Sequence, residues 1–273
     1  MAPLPSFSLS TTAEEVADTF AEEIKGKNVL ITGTSMDGIG FETARVLAKH
    51  ANLVVITGYN SERLQAAEDA LNKEFPTARI RPLVLDLSSL AAVRKAAAEV
   101  NAYPETLNVN SITQNVHHNN LVQVLIHNAA AKVAPFKLTE DNLETQMATD
   151  HVGPFLLTKL LVGKMLATAN DIHTPRVVFV SSIGHALCAG INFRTLMHPD
   201  PESYDASDAY NQAKAANVLT AIELSKRSRG RINAYSLHPG SVYTNIMQQE
   251  AIPMLQKLGE FTAFDIELLN EHF

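Results

Sequence analysis

Cysteine is almost absent from this chain of 273 residues. Cys188 is the single one, which excludes a disulfide within the chain, fits a reducing compartment such as the cytoplasm, and reads most simply as a small packed side chain. Positive charge is also short: 22 basic against 29 acidic residues leave −7, which argues against nucleic acid or an acidic membrane surface as partner. The ten histidines show no HExxH spacing and no cysteine pair exists, so no metal site is expected. The apolar stretch 155–169 is interrupted by Lys159 and Lys164, which speaks against a membrane span. The opening MAPLPSFSLS has neither a basic region nor an apolar core, so a secretory signal is not expected. The run KRSRGR from Lys226 closes a predicted helix, where cations suit the negative dipole end better than they suit a nucleic-acid patch.

What is present is enough apolar material, 46%, to bury a large core. Short β-branched runs at 28–32, 53–57, 80–85, 122–127, 176–180 and 232–237 read as strands. Between them, apolar residues at helical spacing predict helices over about 61–73, 89–100, 141–169 and 207–227. That alternation predicts an α/β fold, a doubly wound parallel sheet of Rossmann type, with ligands beyond the carboxyl ends of the strands. Residues 1–26 form an N-terminal extension whose helix, 12–24, opens with Thr12 and carries Glu15 three positions on, a capping-box pattern. Residues 27–273 form a single domain. Within it, the polar stretch 104–120 with His117 and His118 reads as a surface insertion, and 191–206 as a candidate substrate lid.

Two constellations carry chemistry. In KNVLITGTSMDGIGFETARVLA, from Lys27 to Ala48, Gly33, Gly38 and Gly40 stand between a predicted strand and a predicted helix. Glycines at such a turn let a ligand approach the main chain, and the helix start points N–H groups and a positive dipole end at a phosphate. Gly33 to Gly38 has the four-residue gap of a Walker loop, but Ile39 and Gly40 stand where that loop needs Lys and Ser or Thr, and GxGxxG fails too. The second is AYNQAK, which sets Tyr210 and Lys214 one helical turn apart. A phenol titrates near ~10 and works at neutral pH only beside a cation such as Lys214. In isolation such a pair is most often solvated. Here it has company, because Ser181 and Ser182 close a predicted strand.

Taken together these residues resemble the short-chain dehydrogenase/reductase family over nearly the whole chain. TGTSMDGIG is similar to its cofactor turn, Asp86-Leu87 to its adenine contact, HNAA from His127 to its Asn-Ala-Gly motif, VSS to its catalytic serine, YNQAK to its YxxxK helix and PGSVYT to its PGxxxT. INF after Gly190, DHVGPFLLT from Asp150 and SLHPG from Ser236 resemble the retinol dehydrogenase and WW-domain oxidoreductase branch, and TTAEEVADTF resembles soluble fungal members of it, with secondary metabolism as the implied setting.

The resemblance implies that Tyr210 is the general acid/base, that Lys214 lowers its pKa and holds the nicotinamide ribose, and that Ser182 orients the substrate oxygen. It implies that Gly33, Ser35, Gly38, Ile39 and Gly40 line the pyrophosphate, Asn128 and Ala129 the adenosine side, and Val242 and Thr244 the nicotinamide end. At the predicted second strand's end Gly58 replaces the carboxylate that selects NAD, and Tyr59, Asn60 and Arg63 follow, so NADP is expected with NAD left open. Several positions depart from the pattern. The turn is one residue longer, Ala130 ends the Asn-Ala-Gly motif, and the chain stops at Phe273, C-terminally short of the family's last helix and strand. Asp150 also replaces the asparagine whose main-chain carbonyl holds a water for the lysine. The implied function is an NADP-dependent oxidoreductase interconverting a carbonyl and an alcohol on a lipophilic small molecule, working as a homodimer or tetramer built on the two long helices, where Ala213, Ala215, Ala216 and Ala221 offer small contact positions. The alternative is a catalytically weak dinucleotide-binding sensor or scaffold.

Overall fold

A computed structural model describes residues 5–8, 10–103, 122–131, 133–167, 169, 173–240 and 242. The predicted insertion with His117 and His118, Thr244 and the chain end lie outside the described residues.

The strands β1 (Asn28–Ile31), β2 (Leu53–Gly58), β3 (Ile80–Val84), β4 (Val124–His127), β5 (Arg176–Val180) and β6 (Asn233–Leu237) form one sheet in the order β3-β2-β1-β4-β5-β6. All five pairings are parallel. Parallel strands need crossover helices, and these cover both faces. Alternate strand residues separate two cores. Leu30, Val55, Leu125 and Val177 join α5 (Leu90–Ala102) and Leu157, Leu161 and Met165 of α7 (Gly153–Leu166) on one side. Val29, Ile31, Val54 and Ile56 pack on the other side against Ala44 and Ala48 of α3 (Ile39–Ala48) and Leu64, Ala67 and Leu71 of α4 (Ser61–Glu74). Each fully buried Leu, Ile, Val or Met among them stabilises by about 1.5–3 kcal/mol relative to exposure.

Local caps fix where the helices begin. The Asn60 side chain accepts from Arg63 N at 2.9 Å, Ser89 accepts from Ala92 N at 3.2 Å, and Asp205 accepts from Asp208 N at 2.8 Å to start α9 (Ala206–Ser228). At the N-terminus the predicted capping box is formed, Thr12 with Glu15, opening α1 (Ala13–Thr19). The predicted 12–24 helix is split at Phe20 into α1 and α2 (Ala21–Ile24).

The predicted helix over 141–169 differs more. Asn142 takes a left-handed φ of 58°, and Glu144 accepts from Gln146 N and Met147 N, so helix begins only at α6 (Thr145–Met147). A π-helical turn, Ala148–Val152, then leads into α7. Such wide turns concentrate at functional sites.

Candidate active site

The carboxyl ends of β1 and β4 meet around glycine. Thr32, fully buried, accepts through Oγ1 from Asn128 N at 3.0 Å and Ala129 N at 3.1 Å. Asn128 Nδ2 returns bonds to Thr32 O at 3.0 Å and Gly33 O at 2.9 Å. Gly33 has φ +72°, and a Cβ there would stand 2.7 Å from Ala129 Cα. A Cβ on Gly40 would collide with Asn128 Nδ2 and the Gly33 carbonyl. Only glycine fits at either position. Gly38 caps α3 without a side-chain acceptor, so the helix start, with Ser35 and Ile39 beside it, keeps its donors for an anion. Thr34 bonds Thr57 O through both its N (2.9 Å) and its hydroxyl (3.2 Å), fastening this turn to the end of β2.

Beyond β2 a cleft of about 220 Å³ is lined by Thr34, Ser35, Gly58, Tyr59, Asn60 and Arg63 among others, with Arg63 its one charged side chain. Tyr59 is 66% exposed. Asp86 stands after β3 with Oδ1 holding Ser88 N at 2.9 Å and Ser88 Oγ at 2.6 Å. A Cβ on Gly153 would strike the Leu87 carbonyl, so α7 lies close beneath this loop.

The second cluster lies under β5. Ser182, buried, accepts from Gly184 N at 3.1 Å and caps a 3₁₀ turn, Ile183–Leu187. A Cβ on Gly184 would sit 3.3 Å from Tyr210 Cε1, so this serine's turn packs directly on the tyrosine ring. On α9, Lys214 Nζ is 5.3 Å from the Tyr210 ring centroid and 3.4 Å from Val180 O. Its ammonium also lies 3.2 Å from Asp150 Oδ2, with both side chains almost wholly buried. The other oxygen, Oδ1, accepts from Ala131 N at 2.6 Å. Burial raises the Asp150 carboxyl above the usual carboxylate range, against the pull of Lys214 and the Ala131 N–H. Burial also works against the Lys214 ammonium, but Asp150 and Tyr210 outweigh it and its pKa stands raised. The geometry is therefore a phenol beside a retained cation, with a buried hydroxyl at the start of the 3₁₀ turn whose Gly184 packs on the phenol ring. That arrangement can give a proton to, or take one from, an oxygen placed between them.

Sequence reasoning missed Asn217, which donates through Nδ2 to Asp150 O at 3.0 Å and accepts from His151 Nδ1 at 3.0 Å. Its place one turn after Lys214 was the available signal. Thr32 and Thr57, each closing or following a strand, were missed for want of any motif.

The structure bears on three readings. The segment 191–206, expected as a substrate lid, meets α9 at Gln212, whose Oε1 accepts from Asn192 N at 2.7 Å. It lines a cleft of about 520 Å³ with Glu144 and with Asp208, Ala209 and Gln212, the last three leaving α9 on the side away from Tyr210 and Lys214. Cys188 is half-buried, with Sγ 3.3 Å from Gly190 O. Ala213, Ala216 and Ala221, read as contact positions for a second copy, are buried within the chain.

The family profile described as short chain dehydrogenase matches residues 27–190. The chain belongs to the short-chain dehydrogenase family. It is thus an NAD(P)-dependent oxidoreductase, and the doubly wound sheet is the family's fold. The chain is 35% identical over 254 residues to the chloroplastic short-chain dehydrogenase TIC 32 A of Brassica napus, covering 91% of this chain and 73% of that protein. It is 34% identical over 224 residues to retinol dehydrogenase 13 of Mus musculus, covering 82% of this chain and 60% of that protein. Among solved structures it resembles an uncharacterised protein from Mycobacterium paratuberculosis, with 30% identity, a TM-score of 0.63, and coverage of 82% and 73% of the two chains. Among the described residues no helix is long and apolar enough to cross a membrane.

Proposed function

We propose that the protein interconverts a carbonyl and an alcohol on a lipophilic small molecule with NADP, using Tyr210 as general acid/base, Lys214 to lower its pKa and hold the ribose, and Ser182 to orient the substrate oxygen. The observation that carries this reading is the convergence of Ser182's turn, the Tyr210 ring and the buried Lys214 ammonium at the end of β5. Hydride transfer at a carbonyl builds negative charge on oxygen, which a proton donor and a second hydrogen bond stabilise.

The residues fit a dinucleotide. Gly33 and Gly40 let the turn close on Ala129 and Asn128 where any Cβ would collide, and Gly38, Ile39 and Ser35 surround a helix start for the pyrophosphate. In this reading Asn128 and Ala129 would flank the adenosine side with Asp86 beyond them, and the exposed Val242 would serve the nicotinamide end. When bound, the nicotinamide supplies or accepts the hydride. NADP is favoured over NAD because the cleft past Gly58 holds Arg63 and no carboxylate. A lipophilic substrate agrees with exposed Ile183 (44%) and Leu187 (55%) on the turn beside Tyr210, and with the retinol named for one relative.

A homodimer or tetramer built on α7 and α9 agrees with Phe155, Leu219 and Ile222, all exposed on those helices; light scattering at micromolar protein tests it. The reducing cytoplasm fits the one unpaired cysteine.

Purified protein assayed with NADPH and NADH against long-chain and aromatic aldehydes tests the main reading. Faster turnover with NADPH is expected. Dinucleotide binding without turnover of any carbonyl would support the sensor reading instead.

A further inference from the structure

The π-helical turn delivers two groups of one residue to α9. Asp150 sends its carboxylate to Lys214 Nζ at 3.2 Å, while its main-chain carbonyl receives Asn217 Nδ2 at 3.0 Å. Lys214 and Asn217 are one turn apart on the same helix, so the two contacts brace the same small piece of backbone. Asn217 is 2% exposed, and its oxygen is engaged by His151 Nδ1, so both ends of its amide are held. Asp150 Oδ1, on Ala131 N, anchors the same residue to the segment after β4. Three elements, the π-turn, α9 and the segment after β4, thus meet at one residue.

We propose that Asp150 and Asn217 are positioning residues that together hold a fixed negative charge against Lys214 and so set the pH at which Tyr210 gives up its proton. This rests on the acid/base reading of Tyr210. The groups facing the lysine are Asp150 from the π-turn, Tyr210 from its own helix and the Val180 carbonyl from β5. The 3₁₀ turn packed on Tyr210 carries Ser182 and His185, the latter bonded through Nδ1 to Ser182 O at 2.6 Å. His151 faces Asn217.

The sign follows from the pair taken as a unit. The first proton lost from the Tyr210–Lys214 pair leaves either from the phenol or from the ammonium. Both losses make the pair more negative, and a carboxylate at 3.2 Å opposes both. Removing that charge therefore moves the first loss to lower pH whichever group supplies the proton. Asn217 acts only through where Asp150 sits, so loosening it has the same sign and a smaller size.

The test is a tyrosinate absorbance titration of wild type, Asp150→Asn, Asn217→Ala and the double variant, each referenced to its own Tyr210→Phe counterpart. Asp150→Asn keeps an acceptor for Ala131 N while removing the charge. Its phenolate fraction at fixed pH should rise about tenfold, one unit of pKa. Asn217→Ala should shift the titration less, and should add nothing in the Asp150→Asn background. A titration of Asp150→Asn that overlays wild type overturns the proposal, as does an Asn217→Ala shift of equal size in both backgrounds. Should Asp150→Asn not fold, Asn217→Ala alone decides, because it leaves every charge in place: no shift overturns the clamp. Absorbance needs no turnover, so an active Tyr210→Phe would defeat the acid/base reading and leave this result standing.

Discussion

The turn under the dinucleotide and the lysine corner sit at the same edge of the sheet and are built on opposite logics. Around Gly33 and Gly40 everything is neutral and shape decides: Thr32, Asn128 and two glycines interlock with no space for a methyl group. Around Lys214 charge decides: an ammonium and a carboxylate are buried together, each the other's main compensation. One region is intolerant of added atoms, the other of removed charge. His127, which ends β4 just before Asn128, lies between these cases as a buried titratable group with no countercharge. Its Nε2 is 2.7 Å from Thr158 Oγ1, whose proton goes to Pro154 O, so Nε2 carries the hydrogen and Nδ1 is left without a partner among the described residues. Burial pushes its pKa down to about 3.

The sharpest way to break this contrast is Gly40→Ala. The added methyl would collide with the main-chain Gly33 O and with Asn128 Nδ2, which its bonds to Thr32 O and Gly33 O hold in place, so dinucleotide affinity by fluorescence titration should fall about a hundredfold, roughly 2.7 kcal/mol. Gly163→Ala on α7, where nothing lies within 4 Å, is the control. It should instead stabilise the fold by about 0.8–1 kcal/mol through helix propensity, the smallest effect expected here.

Between these extremes come two tests by chemical denaturation. Thr32→Val keeps the shape and removes an acceptor that two partly buried N–H groups share, so a loss of about 1–3 kcal/mol is expected. His127 sets the acid side. A basic group whose pKa is depressed on folding contributes its full stability above about 6.5, its unfolded value, and loses it as pH falls from there toward its folded value. Stability should drop by up to about 1.4 kcal/mol per pH unit in that window. His127→Phe, which preserves stacking on Phe179, should flatten that slope, and an unchanged slope would remove His127 from the acid response.

The legibility of the two regions in the sequence differs for the same reason. Glycine spacing between a strand and a helix is a local demand, and Gly33, Gly38 and Gly40 stand out without any knowledge of the fold. Strand positions were likewise legible because buried parallel strands are nearly continuous β-branched runs. Tyr210 and Lys214 were legible through helical spacing. The Asp150 clamp was not: Asn217 and Asp150 are 67 positions apart, and the π-turn that joins them depends on tertiary packing rather than on any residue pattern. The late start at Thr145 was hidden similarly, since a left-handed Asn142 and a Glu144 cap interrupt an apolar period that runs on through them. The direction faced by 191–206 was beyond reach, because loop length shows neither which side of α9 a loop covers nor what it lines.

The most direct test of the whole account is turnover of wild type and Tyr210→Phe, measured side by side with dinucleotide binding. The account predicts a loss of at least about a hundredfold in rate for the variant, the range expected when positioned acid/base catalysis is removed, with dinucleotide affinity nearly unchanged. Turnover retained in Tyr210→Phe at wild-type rates would contradict it.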